Sequence, residues 1–315
     1  MRTSAQRFGL ILVLGCAACL RPEPRELPAG AQAFSLFGEP LFPPPLEPAE
    51  QAKREQLLAE ARGALEADPA SVEAAIGYGR RLGYLGRFRE AIAAFSRAIE
   101  LHPDDPRLYR HRGHRFITLR DFDAAIRDLS HAAGLVQGLS DEVEPDGLPN
   151  ERGIPLSTRN QEIFYHLALA HYLAGDFERA LPCWRECLRF SANPDSVCSA
   201  TYWLTMTLRR LGRDAEADEA VSTIRADFDI VEYHAYHRLC LMYRGELSLE
   251  ELLADARAAG TASVDFATVA YGVASARLDR GEREEAMELL REIRASPQWH
   301  AFGFIAAEAE LARLG

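Results

Sequence analysis

Apolar residues recur every three or four positions from about residue 50 to the end of the chain, with polar residues between them. This spacing places the apolar side chains along one face of each of a series of helices. The same region contains no alternating apolar–polar run and no cluster of β-branched residues, which are the signals of strands. The pattern therefore predicts an all-α fold.

The helical pattern also repeats at a fixed interval of 34 residues. Gly79 and Gly113 are separated by this interval, and so are Phe88 and Phe122. Further pairs with the same separation are Ala91 and Ala125, Phe95 and Leu129, and Ala98 and Ala132. Such a period is typical of repeat arrays, in which each helical hairpin buries its apolar face against its neighbours. Small residues at the repeated positions indicate close helix crossings.

The repeated hairpin resembles the tetratricopeptide repeat family. The first-helix positions of that family are matched by Tyr109, Gly113 and Phe116, and the second-helix positions by Ala91, Phe95 and Pro103. The resemblance implies a right-handed α-solenoid over residues 49–315. It also implies that the first helix of each hairpin faces a concave groove, and that the groove binds a protein or peptide.

Later units keep the pattern less strictly. An insertion of 21 residues precedes the unit that contains Gly175 and Phe177. A capping box formed by Ser248 and Glu251 predicts another helix start, and Gly260 is suited to the end of that helix. Residues 297–314 are expected to form a terminal helix that covers the exposed apolar end of the array.

The first 19 residues have the features of an export signal. Arg2 and Arg7 precede a short apolar run over residues 8–15, which is too short to span a bilayer. The run ends at Cys16 and Cys19, and the segment resembles a bacterial lipoprotein signal. Cys16 fits the acylated position better, Cys19 is the other candidate, and a cleaved signal without lipid is the alternative. The expected location is the periplasmic side of a bacterial membrane.

Residues 20–48 are interpreted as a proline-rich tether. Eight prolines between positions 21 and 48 exclude helix over most of this stretch. Its aromatic and aliphatic residues are too apolar for a spacer that is fully solvated. We therefore expect part of it to pack in extended form against the first helices.

Helical spacing, combined with the family resemblance, predicts which side chains face the groove. The candidates are Arg80, Tyr84, Arg110, His114, Tyr165, Tyr172, Tyr202 and Arg209. Together they would form a moderately basic groove lined by tyrosines, suited to peptides with some negative charge. The alternative is that these arginines are solvated or pair with neighbouring carboxylates.

The insert over residues 138–160 is not required by repeat packing. Long loops inside compact arrays are often functional, so Glu144, Asp146 and Asn150 are candidate binding residues. Its acidic start resembles a calcium-binding loop, but Gly153 stands where the final glutamate is needed. We expect the insert to fold over one face of the array, and a tolerated decoration is the alternative.

Composition and motifs narrow the function further. The net charge of −11 argues against nucleic acid as a partner. No catalytic motif is present, and the histidines lack the spacing of a metal site, so we expect no enzyme activity, cofactor, metal or small-molecule substrate. Cys183, Cys187, Cys198 and Cys240 follow the signal; buried thiols at helix contacts are the preferred interpretation, and disulfides remain open.

The sequence thus predicts an exported, membrane-anchored scaffold that binds a protein or peptide. One alternative is a structural component of an envelope assembly, with contacts through the convex face and the proline-rich arm. The other is a hydrolase or metal-dependent enzyme with its site around His111, His114 and the insert.

Overall fold

A computed structural model describes residues 26–145 and 150–315, and these residues form fourteen α-helices and one short two-stranded ribbon. The ribbon pairs β1 (Ala33–Phe34) with β2 (Pro40–Leu41) in antiparallel register. The first seven helices are α1 Pro48–Ala67, α2 Val72–Tyr84, α3 Phe88–Leu101, α4 Pro106–Thr118, α5 Phe122–Leu135, α6 Arg159–Leu173 and α7 Phe177–Phe190. The remaining seven are α8 Pro194–Arg210, α9 Asp214–Ser222, α10 His234–Tyr243, α11 Leu249–Ala259, α12 Val264–Asp279, α13 Arg283–Arg294 and α14 Phe302–Leu314.

The all-α solenoid predicted from the sequence is confirmed. Consecutive helices pack as antiparallel hairpins, and α14 packs on α12 and α13 as a terminal helix should. The predicted capping box at the start of α11 is present, with Ser248 and Glu251 bonding each other's backbone. None of the described helices is both long enough and apolar enough to cross a membrane.

The helices form an inner and an outer layer. Along α6, α8, α12 and α14 nearly every residue is buried, whichever way it points. Helices that are apolar or small on all sides are stable only when surrounded by other helices. The second helices α3, α7 and α13 bury a single face and expose a charged one. The first helices of successive hairpins therefore make up the inner layer.

Two repeated glycines allow close helix crossings. A Cβ atom added to Gly79 would lie 2.3 Å from the ring of Phe95, and one added to Gly113 would lie 2.7 Å from Leu129. Both large side chains are fully buried, so their rings and branches have no free space into which to move. The 34-residue spacing of these glycines thus reflects a packing constraint that recurs in consecutive hairpins.

The chain closes on itself through a buried ion pair. The carboxylate of Glu308 on α14 accepts a hydrogen bond from Arg120 Nε at 2.8 Å and another from the backbone N–H of Leu36 at 3.0 Å. Arg120 also donates to the carbonyl oxygen of Trp299 at 2.8 Å. Arg120 occupies the turn between α4 and α5 with a φ of 65°, a conformation that glycine adopts in the equivalent turns, such as at Gly86.

The proline-rich arm packs on both ends of the array. Phe42 accepts a hydrogen bond from the indole of Trp299 through its carbonyl oxygen, and Glu39 pairs with Arg294. On the first hairpin, Pro43 lies against Gly86. The expected contact with the first helices is therefore present, and the arm also reaches the C-terminal helices. Residues 1–25, including Cys16 and Cys19, lie outside the described residues.

The close crossing at Gly79 predicts opposite effects for two substitutions in one helix. Gly79→Ala is expected to destabilise the protein by about 1–3 kcal/mol, because the new methyl group overlaps the buried ring of Phe95. Gly77→Ala is the matched control, because no atom lies within 4 Å of its added Cβ. It should stabilise the protein by about 0.5–1 kcal/mol through helix propensity. Denaturant unfolding measures both, and equal stabilities would contradict the packing argument.

The ion pair between Arg120 and Glu308 predicts how two variants differ in stability from the wild type. Arg120→Gly removes the strained φ, worth about 1 kcal/mol, but leaves the buried carboxylate of Glu308 without its cation. We expect a net loss of stability, because breaking a buried pair costs about 3–5 kcal/mol. Adding Glu308→Gln to Arg120→Gly should recover part of the loss. If Arg120→Gly unfolds at the same denaturant concentration as the wild type, the pair does not fasten the terminal helix.

Candidate functional site

A cavity of about 480 Å³ lies on the inner side of the solenoid. Its walls are supplied by α2, α4, α6, α8, α10 and α12, with Phe302 of α14 closing one side. A volume of this size falls within the range of binding pockets in proteins. The cavity is the natural candidate for a functional site because every hairpin contributes to it through its inner helix.

The cavity gathers five of the eight side chains predicted to face a groove. They are Arg80 and Tyr84 of α2, Arg110 and His114 of α4, and Tyr165 of α6. These helices come from three hairpins, and their inner faces meet because the repeat places equivalent positions side by side.

The other three predicted residues lie elsewhere. Tyr172 and Tyr202 are fully buried in the core, where the hydroxyl group of Tyr172 lies 2.8 Å from that of Tyr271. The inner layer covers them because α12 packs over α6 and α8. Arg209 pairs with Asp214 and Asp218 at the end of α8. The sequence left open that the candidate groove arginines pair with neighbouring carboxylates instead, and Arg209 does so.

The insert supplies an acid to the inner wall. Glu144 is 6% exposed, and its carboxylate contacts Arg110 and lies 3.2 Å from His111 Nε2. Its backbone N–H donates to Ser157, which fixes this part of the insert beside the start of α6. Arg110, together with a hydrogen bond from His111, lowers the pKa of the Glu144 carboxyl and outweighs the effect of burial. The insert thus folds over the inner face.

The remaining insert candidates differ in position. Arg80 donates a hydrogen bond to the carbonyl oxygen of Pro145 at 2.8 Å. The insert therefore also uses one of the donor groups of this second arginine. Asn150 is used within the insert, where its amide donates to the carbonyl oxygen of Ile154 at 2.6 Å. Asp146 lies outside the described residues.

Three histidines converge on the cavity. The rings of His114 and His166 are 4.5 Å apart between centroids, and His111 stacks on Phe95. Burial, followed by the charge of Arg110, lowers the pKa of His111 and of His166 to about 3. Burial likewise lowers the pKa of His114. All three rings are therefore neutral at physiological pH.

This convergence does not form a metal site. In the part of the chain that the structure describes, no three histidine, cysteine or carboxylate side chains are placed to hold one ion. The thiols of Cys183, Cys187, Cys198 and Cys240 are free, and burial raises the pKa of each. Cys187, Cys198 and Cys240 are buried, whereas Cys183 is only half-buried.

Several cavity residues were not among the predicted set. Arg115, His166, Tyr236 and Phe302 all line the cavity. The sequence could have indicated His166 as a cavity residue. It follows His111 by 55 residues, the same interval that separates the equivalent repeat positions Phe122 and Phe177. Phe302 carried no such signal, since the terminal helix reaches the cavity only through the closure of the chain.

Comparison with known families agrees with this architecture. Residues 72–115, which span α2 to most of α4, match the family model of the tetratricopeptide repeat. The matched segment contains Gly79, Phe95 and Gly113, the residues that set the helix crossings. This segment is therefore similar to a tetratricopeptide repeat. No curated protein matches the sequence significantly.

Solved tetratricopeptide-repeat structures resemble the chain at low identity. A tetratricopeptide repeat protein from Parabacteroides merdae is 13% identical, with 83% of this chain and 94% of that one covered and a TM-score of 0.48. YrrB, described as having an unusual peptide-binding site, is 15% identical, with 78% and 95% covered and a TM-score of 0.43. A kinesin light chain-like repeat protein from Podospora anserina is 13% identical, with 72% and 95% covered and a TM-score of 0.43.

The neutral histidines predict an acid-dependent loss of stability. In the unfolded chain a histidine takes up a proton near pH 6.5, whereas His166 stays neutral in the folded protein until about pH 3. The unfolded state therefore binds more protons in this window, and the free energy of unfolding falls as the pH is lowered through it. His166→Gln should remove about 2 kcal/mol of the stability difference between pH 7.5 and pH 5.0.

Denaturant unfolding at the two pH values measures this difference. The control is His234→Gln, since the side chain of His234 is exposed and its substitution should leave the pH dependence unchanged. A pH dependence for His166→Gln that equals that of the wild type would show that the ring is not kept neutral by burial.

Proposed function

We propose that this protein is a scaffold that binds a protein or peptide segment at the mouth of the inner cavity, with the insert at the edge of the binding surface. The observation that carries the proposal is that Arg80 and Tyr84 of one hairpin and Tyr165 of another line one cavity. Arginine and tyrosine are the side chains that contribute most to protein interfaces. A preformed surface of this kind binds without a large entropic cost of ordering.

The insert carries exposed apolar side chains. Leu139 and Ile154 are 54% and 47% exposed, and Val143 is 63% exposed next to Glu144, which contacts the cavity residue Arg110. Single exposed apolar side chains are common on proteins, whereas a contiguous patch of them marks an interaction site. Arg110 holds the carboxylate of Glu144, and Arg80 holds the backbone carbonyl of Pro145, so this part of the insert is fixed in place.

Export and membrane anchoring form part of the same proposal. The support is the signal-like sequence of residues 1–19 and the two candidate acylation sites, Cys16 and Cys19. A lipid on either cysteine would leave residues 20–48 as the connection to the folded array. Labelling with a fatty-acid analogue, in wild type and in Cys16→Ala and Cys19→Ala variants, tests this. Label lost only from Cys16→Ala is expected.

The scaffold role predicts that the insert and the cavity mouth are both needed for partner capture. In a photo-cross-linking experiment from the native membrane fraction, the double variant Leu139→Ser with Ile154→Ser should lose most of the cross-linked partner. Tyr84→Ala should weaken it by about tenfold, since truncation of an interface tyrosine costs about 1–2 kcal/mol.

The matched control is Leu101→Ser. Leu101 is 61% exposed on α3 and does not line the cavity, so its removal should leave partner capture unchanged. Equal capture by wild type, the insert variant and Tyr84→Ala would refute binding at this surface. Loss of capture in Leu101→Ser alone would instead point to the convex face, as an envelope component would require.

A further inference from the structure

Arg115 lines the cavity without an acidic partner. Its neighbours Arg110 and Arg80 contact Glu144 and the carbonyl oxygen of Pro145, respectively. Among the described residues, Arg115 has no carboxylate within ion-pair distance, and its guanidinium lies 5.5 Å from the ring centroid of Phe88. Arg115 is half-buried. Partial removal of a cation from water without pairing it is unfavourable, and a bound anion would offset this cost.

The packing around Arg115 holds the guanidinium in place. The guanidinium crosses α2 closely, since a Cβ added to Gly83 would lie 2.9 Å from Arg115 Nη1. Burial lowers the pKa of Arg115 to about 10, an effect that the nearby charges of Arg110 and Arg80 strengthen. The group is still a cation at neutral pH, and it remains available to an anionic ligand.

His166 offers a complementary acceptor in the same cavity. Its Nδ1 lies 2.7 Å from the carbonyl oxygen of Glu162, so Nδ1 carries the proton and donates it to this bond. Nε2 is therefore a lone-pair acceptor, and it is buried without a partner while the side chain is 3% exposed. A buried acceptor of this kind is satisfied by an O–H or N–H group of a ligand.

The other walls limit the shape of an occupant. Tyr84, Tyr165 and Phe302 provide aromatic surface, and α12 and α14 cover the side that an open groove would leave free. Glu162 lies 3.9 Å from Arg110, and the remaining carboxylates that line the cavity, Glu232 and Asp265, are exposed to solvent. Arg115 and the neutral ring of His166 therefore lie in the same cavity as an aromatic wall.

We propose that the cavity binds a small organic anion in which an O–H or N–H donor stands next to a carboxylate or phosphate. The anionic oxygens contact Arg115, the donor contacts His166 Nε2, and the apolar remainder packs against the aromatic walls. The ligand site shares the walls Tyr84 and Tyr165 with the proposed partner surface. Its polar contacts, Arg115 and His166, play no part in the argument for partner capture, so the ligand proposal holds whether or not a protein partner binds.

Calorimetric titration of the purified protein tests the proposal. The probes are mandelate, which carries a carboxylate, a neighbouring hydroxyl group and a ring, and glycerol 1-phosphate as the phosphate counterpart. Phenylacetate lacks the hydroxyl donor, and mandelamide lacks the charge. We expect at least one of the two anions to bind with millimolar affinity or better, phenylacetate to bind more weakly than mandelate, and mandelamide not to bind. The stronger of the two anions identifies the charged group.

Variants assign the contacts. Arg115→Gln should weaken binding at least about tenfold, and His166→Phe about three- to tenfold, from the loss of one hydrogen bond each. Arg97→Gln on the exposed face of α3 is the control and should bind as the wild type does. No binding of either anion at about 10 mM, or unchanged affinity in Arg115→Gln or in His166→Phe, would overturn the assignment.

Thermal unfolding without ligand separates a binding role from a structural one. If Arg115 serves a ligand, removing its unpaired charge relieves an unfavourable burial, and Arg115→Gln should raise the Tm by about 2 °C or more. If Arg115 supports the fold, the same substitution lowers the Tm, and the proposal fails. The outcome does not depend on partner capture, so it is distinct from the test of the scaffold role.

Discussion

The ion pair between Arg120 and Glu308 is the contact on which the shape of this molecule depends. One carboxylate joins the turn of the second hairpin, the terminal helix and the backbone of the N-terminal arm at Leu36. Glu308 is completely buried, so the pair is stabilising only because both carboxylate oxygens are hydrogen-bonded. Arg120 adopts a left-handed backbone conformation to reach it, which is unusual for any residue other than glycine.

This closure changes what the inner face of the solenoid can do. An array whose ends stay apart presents a continuous groove, whereas here α14 lies against α6 and α12 and fills much of that space. What remains is a bounded cavity with Phe302 on one side. Two of the arginines that line it have partners within the protein. Glu144 of the insert pairs with Arg110, and the carbonyl oxygen of Pro145 accepts a hydrogen bond from Arg80. Arg115 and His166 are the groups left for a ligand.

The predictions from sequence succeeded where one local rule decides the structure. The 34-residue interval located the close crossings at Gly79 and Gly113, because only glycine permits those distances. The structure places Arg80 and Arg110 at the inner cavity, on the helix faces that the spacing indicates. The groove prediction failed for Tyr172 and Tyr202, because later helices pack over α6 and α8 and bury them. Helical spacing shows which face a residue occupies, but not what covers that face.

By itself, the sequence determined the helices, their hairpin pairing and the period of their packing, since these depend on residues close together in the chain or on the nearest repeat. Only the tertiary structure decided how the ends meet and which charges find partners. Glu308 lies 188 residues from Arg120, and Glu144 reaches Arg110 from an insert outside the repeat pattern. Contacts between residues so far apart leave no periodic trace, because each depends on the accumulated curvature of every hairpin between them.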